Sequence, residues 1–389
     1  MLELTQDNVL DYLKGAGKLA AGEQPVLVQS LSGGVAGTVL KIFDSNAGPK
    51  MGSDVRSEAQ KKRNAPDLRM SQGIAFVLKQ PLHKFKTQEQ WLVDLDRVVV
   101  ERDCMALLAD LLPKNSVPEV LWFDEANSIL AMAAAPTDSI LWKKQLLSGR
   151  ISSEAALHAG MLLAIMHSST MNDPPIKKRF GNPRLFIQQR TDPYLAFLTG
   201  KHPDLKERLE EVIALLVHEQ ACLIHGDFSP KNIFLVPAAD AIIPLPAPGP
   251  RKGPAPPTLA HLILLDFEVA FFGNPAFDVA TLINHLLLKA FYLGKPWRAA
   301  MIAIDAFWQT YVHTADQRLV AMSQRSAGRV LSGLLLARVD GKSPAEYLSD
   351  KTEIQNAIRA CARKILIESD GTLDAALDLA ADALAELAP

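Results

Sequence analysis

Two hydrophobic rhythms divide this chain, and they change over near Ala133. Side chains alternate with a period of two in a strand and 3.6 in a helix, so a chain that switches between them builds two kinds of layer. Ahead of the switch, "PVLVQSL", "TVLKIF", "GIAFVLKQP", "EVLWFD" and "SILAMA" read as strands, the third stopped by Pro81. The first two flank "SGGVAG", which makes a strand, glycine turn, strand unit. Thr5 or Asp7 caps a first helix that ends near Gly15 or Gly17. In "QEQWLVDLDRVVVERDCMALLADLLP", Trp91, Leu95, Val98, Met105, Leu108 and Leu112 form one helical stripe. Residues 44 to 72 are polar and read as a long insertion, with Lys61, Lys62 and Arg63 on a solvated loop.

Beyond Ala133 helical periods dominate, over 153–168, 204–219, 276–292, 296–314, 318–337, 351–367 and 372–388. A short apolar loop region near residue 225 and "LILLDFEVAFFG" interrupt them, and residues 237 to 260 form a Pro-rich, non-helical excursion. No internal repeat is visible. The fold expected is α+β and bilobal, with a small sheet-rich lobe over 1–132 and a larger, mainly helical lobe over 133–389.

Charge narrows the function. With 41 basic and 43 acidic residues, a net −2, the chain carries no electrostatic footprint for nucleic acid or a membrane surface. Cys104, Cys222 and Cys361 are far apart, without zinc spacing, and suit free thiols in a reducing compartment. The N-terminus lacks the basic and apolar regions of a signal peptide, and no apolar run is read as a membrane span. The cytoplasm is the expected location.

The stretch "LIHGDFSPKNIFLV" places Asp227 and Asn232 in a tight loop between apolar flanks. A carboxylate held there needs a partner or a task. Phosphoryl transfer supplies one: the Asp orients an attacking hydroxyl and accepts its proton, while the Asn oxygen helps hold Mg2+ on the nucleotide phosphates. A second metal-gripping carboxylate is then required. Asp266, which follows the apolar strand in "LILLDFE", fits that need. His225 reads as a buttress of the loop rather than a base. Asp278 reads as a helix start or an anchor that accepts backbone N–H bonds from the loop. Glu268, two residues after Asp266, faces either the metal or the loop. His285 shows no ligand spacing.

A nucleotide then needs a cradle. Ser32, Gly33, Gly34 and Gly37 form a glycine turn whose backbone N–H groups can approach phosphates. A lysine must hold the phosphates and a glutamate must hold the lysine. Lys41 and Lys79 compete for the first role, and Lys79, on the third strand directly before the helix, is preferred. Glu101, on the apolar stripe between Val98 and Met105, is its expected partner; the simpler reading of Glu101 is an i,i+4 pair with Arg97.

Taken together, "HGDFSPKNIFLV", "LLDFEVAFFGNPAFDVA" and "FVLKQ" resemble the aminoglycoside phosphotransferase and choline kinase family over roughly residues 26 to 340. The resemblance implies a protein-kinase-like bilobal fold and phosphorylation of a small-molecule hydroxyl with ATP and Mg2+. By position it makes Asp227 catalytic, Asn232 and Asp266 magnesium ligands, and Lys79 with Glu101 the phosphate-binding pair. Met132 falls in the hinge that meets adenine. Within the family, "LVDLDRVVVERDCMALLA" and "VPEVLWFDEANSILAM" are most similar to the methylthioribose kinase subgroup, whose members often dimerise. That subgroup carries two adjacent substrate-binding arginines where this chain reads Gly328-Arg329. Ser229 and Lys231 stand where His and Gly are usual, Asn274 stands for an Asp, and Ala133 for a hinge Glu.

Arg329 and Arg338 are therefore candidates for binding a polar or anionic acceptor. Rival readings are an aminoglycoside-modifying enzyme, which needs an acidic surface, and a nucleotide-binding pseudokinase, against which the intact set of Lys79, Glu101, Asp227, Asn232 and Asp266 argues. A protein kinase is disfavoured because no A-P-E segment follows Asp266.

Overall fold

The computed structural model describes residues 2–19, 26–31, 37–44, 75–82, 93–238 and 259–387. Its contacts divide the chain into two units, Met1–Val98 with Glu119–Ala134, and Val99–Pro118 with Ala135–Pro389. Ser32, Gly33, Gly34, Lys61, Lys62, Arg63 and Trp91, and most of the polar insertion and of the Pro-rich excursion, lie outside the described residues.

The first unit is an antiparallel sheet in the order β1 (Val26–Ser30), β2 (Gly37–Asp44), β3 (Phe76–Pro81), β5 (Ile129–Ala133), β4 (Val120–Asp124). Pro81 does not stop β3 from outside but is its last residue, paired with Gly37. Alternation puts Leu40, Ile42, Phe76, Leu78, Ile129 and Ala131 on one face, where helix α1 (Val9–Gly15) adds Val9 and Leu13. Register puts Lys41 opposite Val77, Val77 opposite Met132, and Lys79 opposite both Val39 and Leu130. Paired residues share a face, so Lys41, Lys79 and Met132 lie together on the side away from α1.

Local polar contacts fix the edges of this unit. Thr5 and Asn8 exchange backbone-to-side-chain bonds, Thr5 N–H to Asn8 Oδ1 at 2.8 Å and Asn8 N–H to Thr5 Oγ1 at 3.3 Å, a reciprocal cap ahead of α1. Buried Gln80 accepts from Leu4 N–H and donates to the Leu2 and Asn127 carbonyls, which ties the N-terminal segment to the sheet.

The second unit is mostly helical. It takes in α2 (Arg97–Leu111) from Val99 onward, α3 (Trp142–Leu147), α4 (Ser153–Ser169), α5 (Pro174–Phe180), α6 (Arg184–Phe186), α7 (Phe197–Lys201), α8 (Lys206–His218), α9 (Ala276–Leu293), α10 (Trp297–Thr314), α11 (Gln317–Asp340), α12 (Thr352–Glu368) and α13 (Leu373–Leu387). The stripe residue Leu95 lies in the turn that precedes α2. Between α6 and α7 the chain winds as a π-helix, Ile187–Ala196, with Pro193 inside it. Proline has no N–H to give an α-turn, and the wider turn accommodates the loss. Five short strands punctuate the helices: β6 (Ile140–Leu141), β8 (Ile233–Pro237) and β9 (Leu259–Leu264) in one sheet, β7 (Cys222–Ile224) and β10 (Phe271–Gly273) in another.

Helix α9 is the spine, packed by α10 and α11 and buried on nearly all sides. By length and composition it could cross a bilayer, an exception to the expectation from sequence. However, 83% of its apolar window is buried inside the protein, as a central core helix requires. All three cysteines are buried and free, and burial pushes their thiols up, Cys361 to about 12.

Helix α11 passes close beneath the start of α13. A Cβ on Gly328 would sit 2.1 Å from the Thr372 carbonyl oxygen and 2.8 Å from that of Gly371. The place of the absent arginine is thus filled by backbone. Gly328→Ala is expected to cost about 1–3 kcal/mol through overpacking, read as a lower urea midpoint; an unchanged midpoint would mean the α12–α13 connection yields freely.

Candidate functional site

The Asp227 loop joins β7 to β8, and a carboxylate from the first turn of α9 holds its backbone. Asp278 Oδ2 accepts from His225 N–H at 2.6 Å and Oδ1 accepts from Gly226 N–H at 3.0 Å. This is the anchoring arrangement expected from sequence. Asp278 is fully buried and also meets His167 Nε2 at 3.3 Å, while His167 Nδ1 lies 2.9 Å from the Tyr311 hydroxyl. Gly226 has φ +75°, and a Cβ there would lie 2.4 Å from the Val269 carbonyl oxygen, so only glycine fits.

His225 buttresses the loop. Its Nδ1 accepts from Asp227 N–H at 3.2 Å, so Nε2 carries the proton and donates to the Leu265 carbonyl at 3.0 Å. Burial depresses its proton affinity, against the opposing pull of Asp278 and Asp227, and favours this neutral tautomer. Its ring packs 4.5 Å from that of Phe267.

The Asp227 carboxylate is 8% exposed and faces two cations, Lys231 Nζ at 2.8 Å and an Arg190 terminal nitrogen at 3.1 Å. Burial by itself raises the carboxyl, but Lys231 and Arg190 outweigh it and hold the group below its ordinary range. Arg190 comes from the π-helix and also donates through Nε to the Gly226 carbonyl. Nothing in "FIQQRTDPYL" marked that arginine. Lys231 stood out only as an unusual residue in its position, and its i,i+4 reach to Asp227 is new.

Asn232 closes the loop: its Nδ2 donates to the Asp227 carbonyl at 3.0 Å, which leaves Oδ1 as the atom to offer a cation. Its own carbonyl accepts from Leu265 N–H at 2.9 Å, which fixes the loop against the end of β9. One residue later Asp266 takes φ +67°, a left-handed conformation that side chains rarely adopt. Ligand oxygens of Asp266, Glu268 and Glu101 lie within 4.8 Å of one another. This all-oxygen group of carboxylates suits a hard divalent cation such as Mg2+. Glu101, the partner expected for Lys79, also lies close to the Asp266 and Glu268 carboxylates.

Lys79 and Met132 share the sheet face described above. At Gly37 a Cβ would meet the Gln80 carbonyl oxygen at 2.6 Å, so strand packing alone requires glycine there. Arg329 is exposed on α11 and donates to the Asp370 carbonyl at 3.2 Å, against the α12–α13 connection. Arg338, half-buried in the last turn of α11, donates to Ser343. Asn274 serves as well as an Asp would: its Oδ1 accepts from Ala276 N–H at 3.0 Å ahead of α9. A surface hollow of about 320 Å³ is lined by Thr191, Glu210 and His218 and includes none of the candidate residues.

Asp278→Ala would leave two buried N–H groups unpaired, at about 1–3 kcal/mol each. We expect a clear loss of urea stability, with Asp278→Asn falling between because one amide oxygen can still accept. Equal stability of all three proteins would refute the anchoring role.

The profile of the phosphotransferase enzyme family matches residues 75–242. Among curated proteins, the methylthioribose kinase of Pectobacterium carotovorum is 26% identical over 61% of this chain and 61% of its own length. That of Pectobacterium atrosepticum is 24% identical over 82% of this chain and 76% of its own. The chain thus spans less than two thirds of the first of these relatives. Among solved structures, a choline/ethanolamine kinase family protein from Mesorhizobium loti aligns at 12% identity with a TM-score of 0.49, covering 95% of this chain and 98% of the other. The stretch 75–242 is thus similar to the phosphotransferase enzyme family, and both of these curated relatives are named methylthioribose kinases.

Proposed function

We propose that this protein transfers the γ-phosphoryl group of ATP, with Mg2+, to a hydroxyl of a small sugar-like molecule. The observation that carries the reading is the Asp227 loop, whose backbone is bonded to Asp278 and whose neighbour across β9 is an oxygen-only cluster. In-line phosphoryl transfer asks for positioning and charge neutralisation more than for covalent chemistry.

Asp227 would accept a hydrogen bond from the acceptor hydroxyl, aim its oxygen at the γ-phosphorus, and take the proton as the new bond forms. Its depressed proton affinity fits orientation of the hydroxyl rather than early deprotonation. Asp266 and Asn232 would hold the metal, with Glu268 and Glu101 beside Asp266. A magnesium ion held by these residues would supply positive charge to offset that of the transferring phosphoryl group. We assign donor binding to residues 1–132, through Lys79, the turn of Ser32, Gly33, Gly34 and Gly37, and Met132 for adenine. Catalysis falls to residues 133–389 together with Glu101.

The relatives' names make methylthioribose the first acceptor to test. A polycationic antibiotic is a poorer candidate, because Lys231 and Arg190 flank Asp227 where such an acceptor needs acids. Asp227→Ala should lower acceptor-dependent ADP release by about 10²–10⁴-fold, with ATP affinity, measured by equilibrium titration, within a few-fold of wild type. Near-wild-type turnover would remove Asp227 from the chemistry.

A further inference from the structure

Beside the Asp227 loop, and outside the roles assigned so far, basic side chains from four elements face one another. Lys143 comes from α3, Lys231 from the loop itself, His285 and Lys289 from α9, and Arg338 from α11. Helix α3 packs on both the Pro230–Asn232 turn and α9, which brings these elements together. Lys231, bonded to Asp227 at 2.8 Å, is also within electrostatic reach of His285. The group therefore runs from the Asp227 carboxylate to the ends of α9 and α11.

Two of its members have no bonded carboxylate among the described residues. Lys289 is 1% exposed, and its Nζ reaches only the His285 carbonyl at 3.1 Å and the Tyr347 hydroxyl at 3.4 Å, with the Tyr347 ring centre at 5.1 Å. Arg338 donates to Ser343, and its buried Nε has no hydrogen-bond partner among the described residues. Among the described residues no carboxylate pairs with either. Glu346, the nearby acid, is bonded to Lys143, and its charge also reaches Lys289 and Arg338 without a bond to either. Burial first, and then Lys143 and Arg338, push the Lys289 ammonium down to about 7.

A helix end accounts for one cation in a last turn. It does not account for two converging from two helices toward two further lysines. Unpaired buried cations are costly, and like charges add to that cost. An anion seated among them removes both penalties, and a guanidinium matches the two-oxygen edge of a carboxylate or phosphate. We propose that Lys289 and Arg338, with Lys143 and Lys231, form an acceptor subsite for a hydroxyl compound that carries its own carboxylate or phosphate group. This rests on the kinase reading for Asp227 and sharpens it: the phosphorylated hydroxyl belongs to an acid, not to a neutral thiosugar.

The test is calorimetric titration of the full chain, with Mg2+ and a non-hydrolysable ATP analogue present, by gluconate, ribose 5-phosphate, methylthioribose and kanamycin. We expect gluconate or ribose 5-phosphate to bind more tightly than the neutral and cationic probes. Lys289→Met and Arg338→Gln should each weaken that binding about tenfold or more. Lys289→Met replaces a buried ammonium with a side chain of similar length, and thermal melts check that both variants fold. Tighter binding of methylthioribose or kanamycin, acid binding unchanged in both variants, or no binding of either acid would overturn the subsite. Which acid is bound separates a carboxylate from a phosphate ligand. ADP release with the bound acid tests the kinase reading separately. An acid that binds through Lys289 and Arg338 but is never phosphorylated would leave the subsite standing and count against the kinase. Turnover of methylthioribose without acid binding would do the reverse.

Discussion

The bond from Asp278 to two successive backbone N–H groups is the constraint on which the second unit's chemistry depends. It joins a largely buried helix to the loop that carries Asp227 and Asn232, so the loop inherits the rigidity of the core. Everything next in line is fixed by it: the φ of Gly226, the tautomer of His225 and the direction of the Asp227 carboxylate. The anchor is itself buttressed, because His167 and Tyr311 extend the polar chain into the α4–α10 packing. A buried network of this kind is stable when each member is satisfied and costly when one is removed.

Charge then separates the neighbourhood into two halves. On the side of β9, the carboxylates of Glu101, Asp266 and Glu268 crowd together, where their mutual repulsion must be offset. On the side of α9 and α11, lysines and an arginine gather around one acid, Glu346, where we have proposed that an anion binds. Asp227 lies between these demands, paired to cations yet next to the Asn232 amide. Opposed fields across one short loop suit a reaction that moves a charged group between two partners.

Much of this was legible in the sequence, and the reasons differ by residue. The spacing of His225, Asp227 and Asn232 is local, so one loop fixes it. Asp278 was readable because helix starts and loop anchors use the same residue types. The long helices follow from period alone, while β6 and β10 are two or three residues long and carry no period to read. The partners of Arg190 and Lys289 were not legible. Each depends on which elements meet in space, and a lone charge in an apolar stretch does not say what it will face. The vacant arginine position was visible as Gly328, but its cause, the Thr372 carbonyl, lies over forty residues away.

The π-helix at Ile187–Ala196 has a consequence of its own. A π-turn spends one residue more per turn than an α-turn, so this segment behaves as an α-helix with an insertion. Each residue advances an α-helix by about a hundred degrees, given 3.6 residues per turn. Removal of one residue downstream of Arg190 would let the turns tighten and swing one side of the helix relative to the other. Either Arg190 would turn from Asp227, or Leu195 would leave its seat against Gly333. The length of this segment, as much as its residues, is therefore tuned to the loop it serves, and relatives that differ here by a single gap should differ in what faces their aspartate.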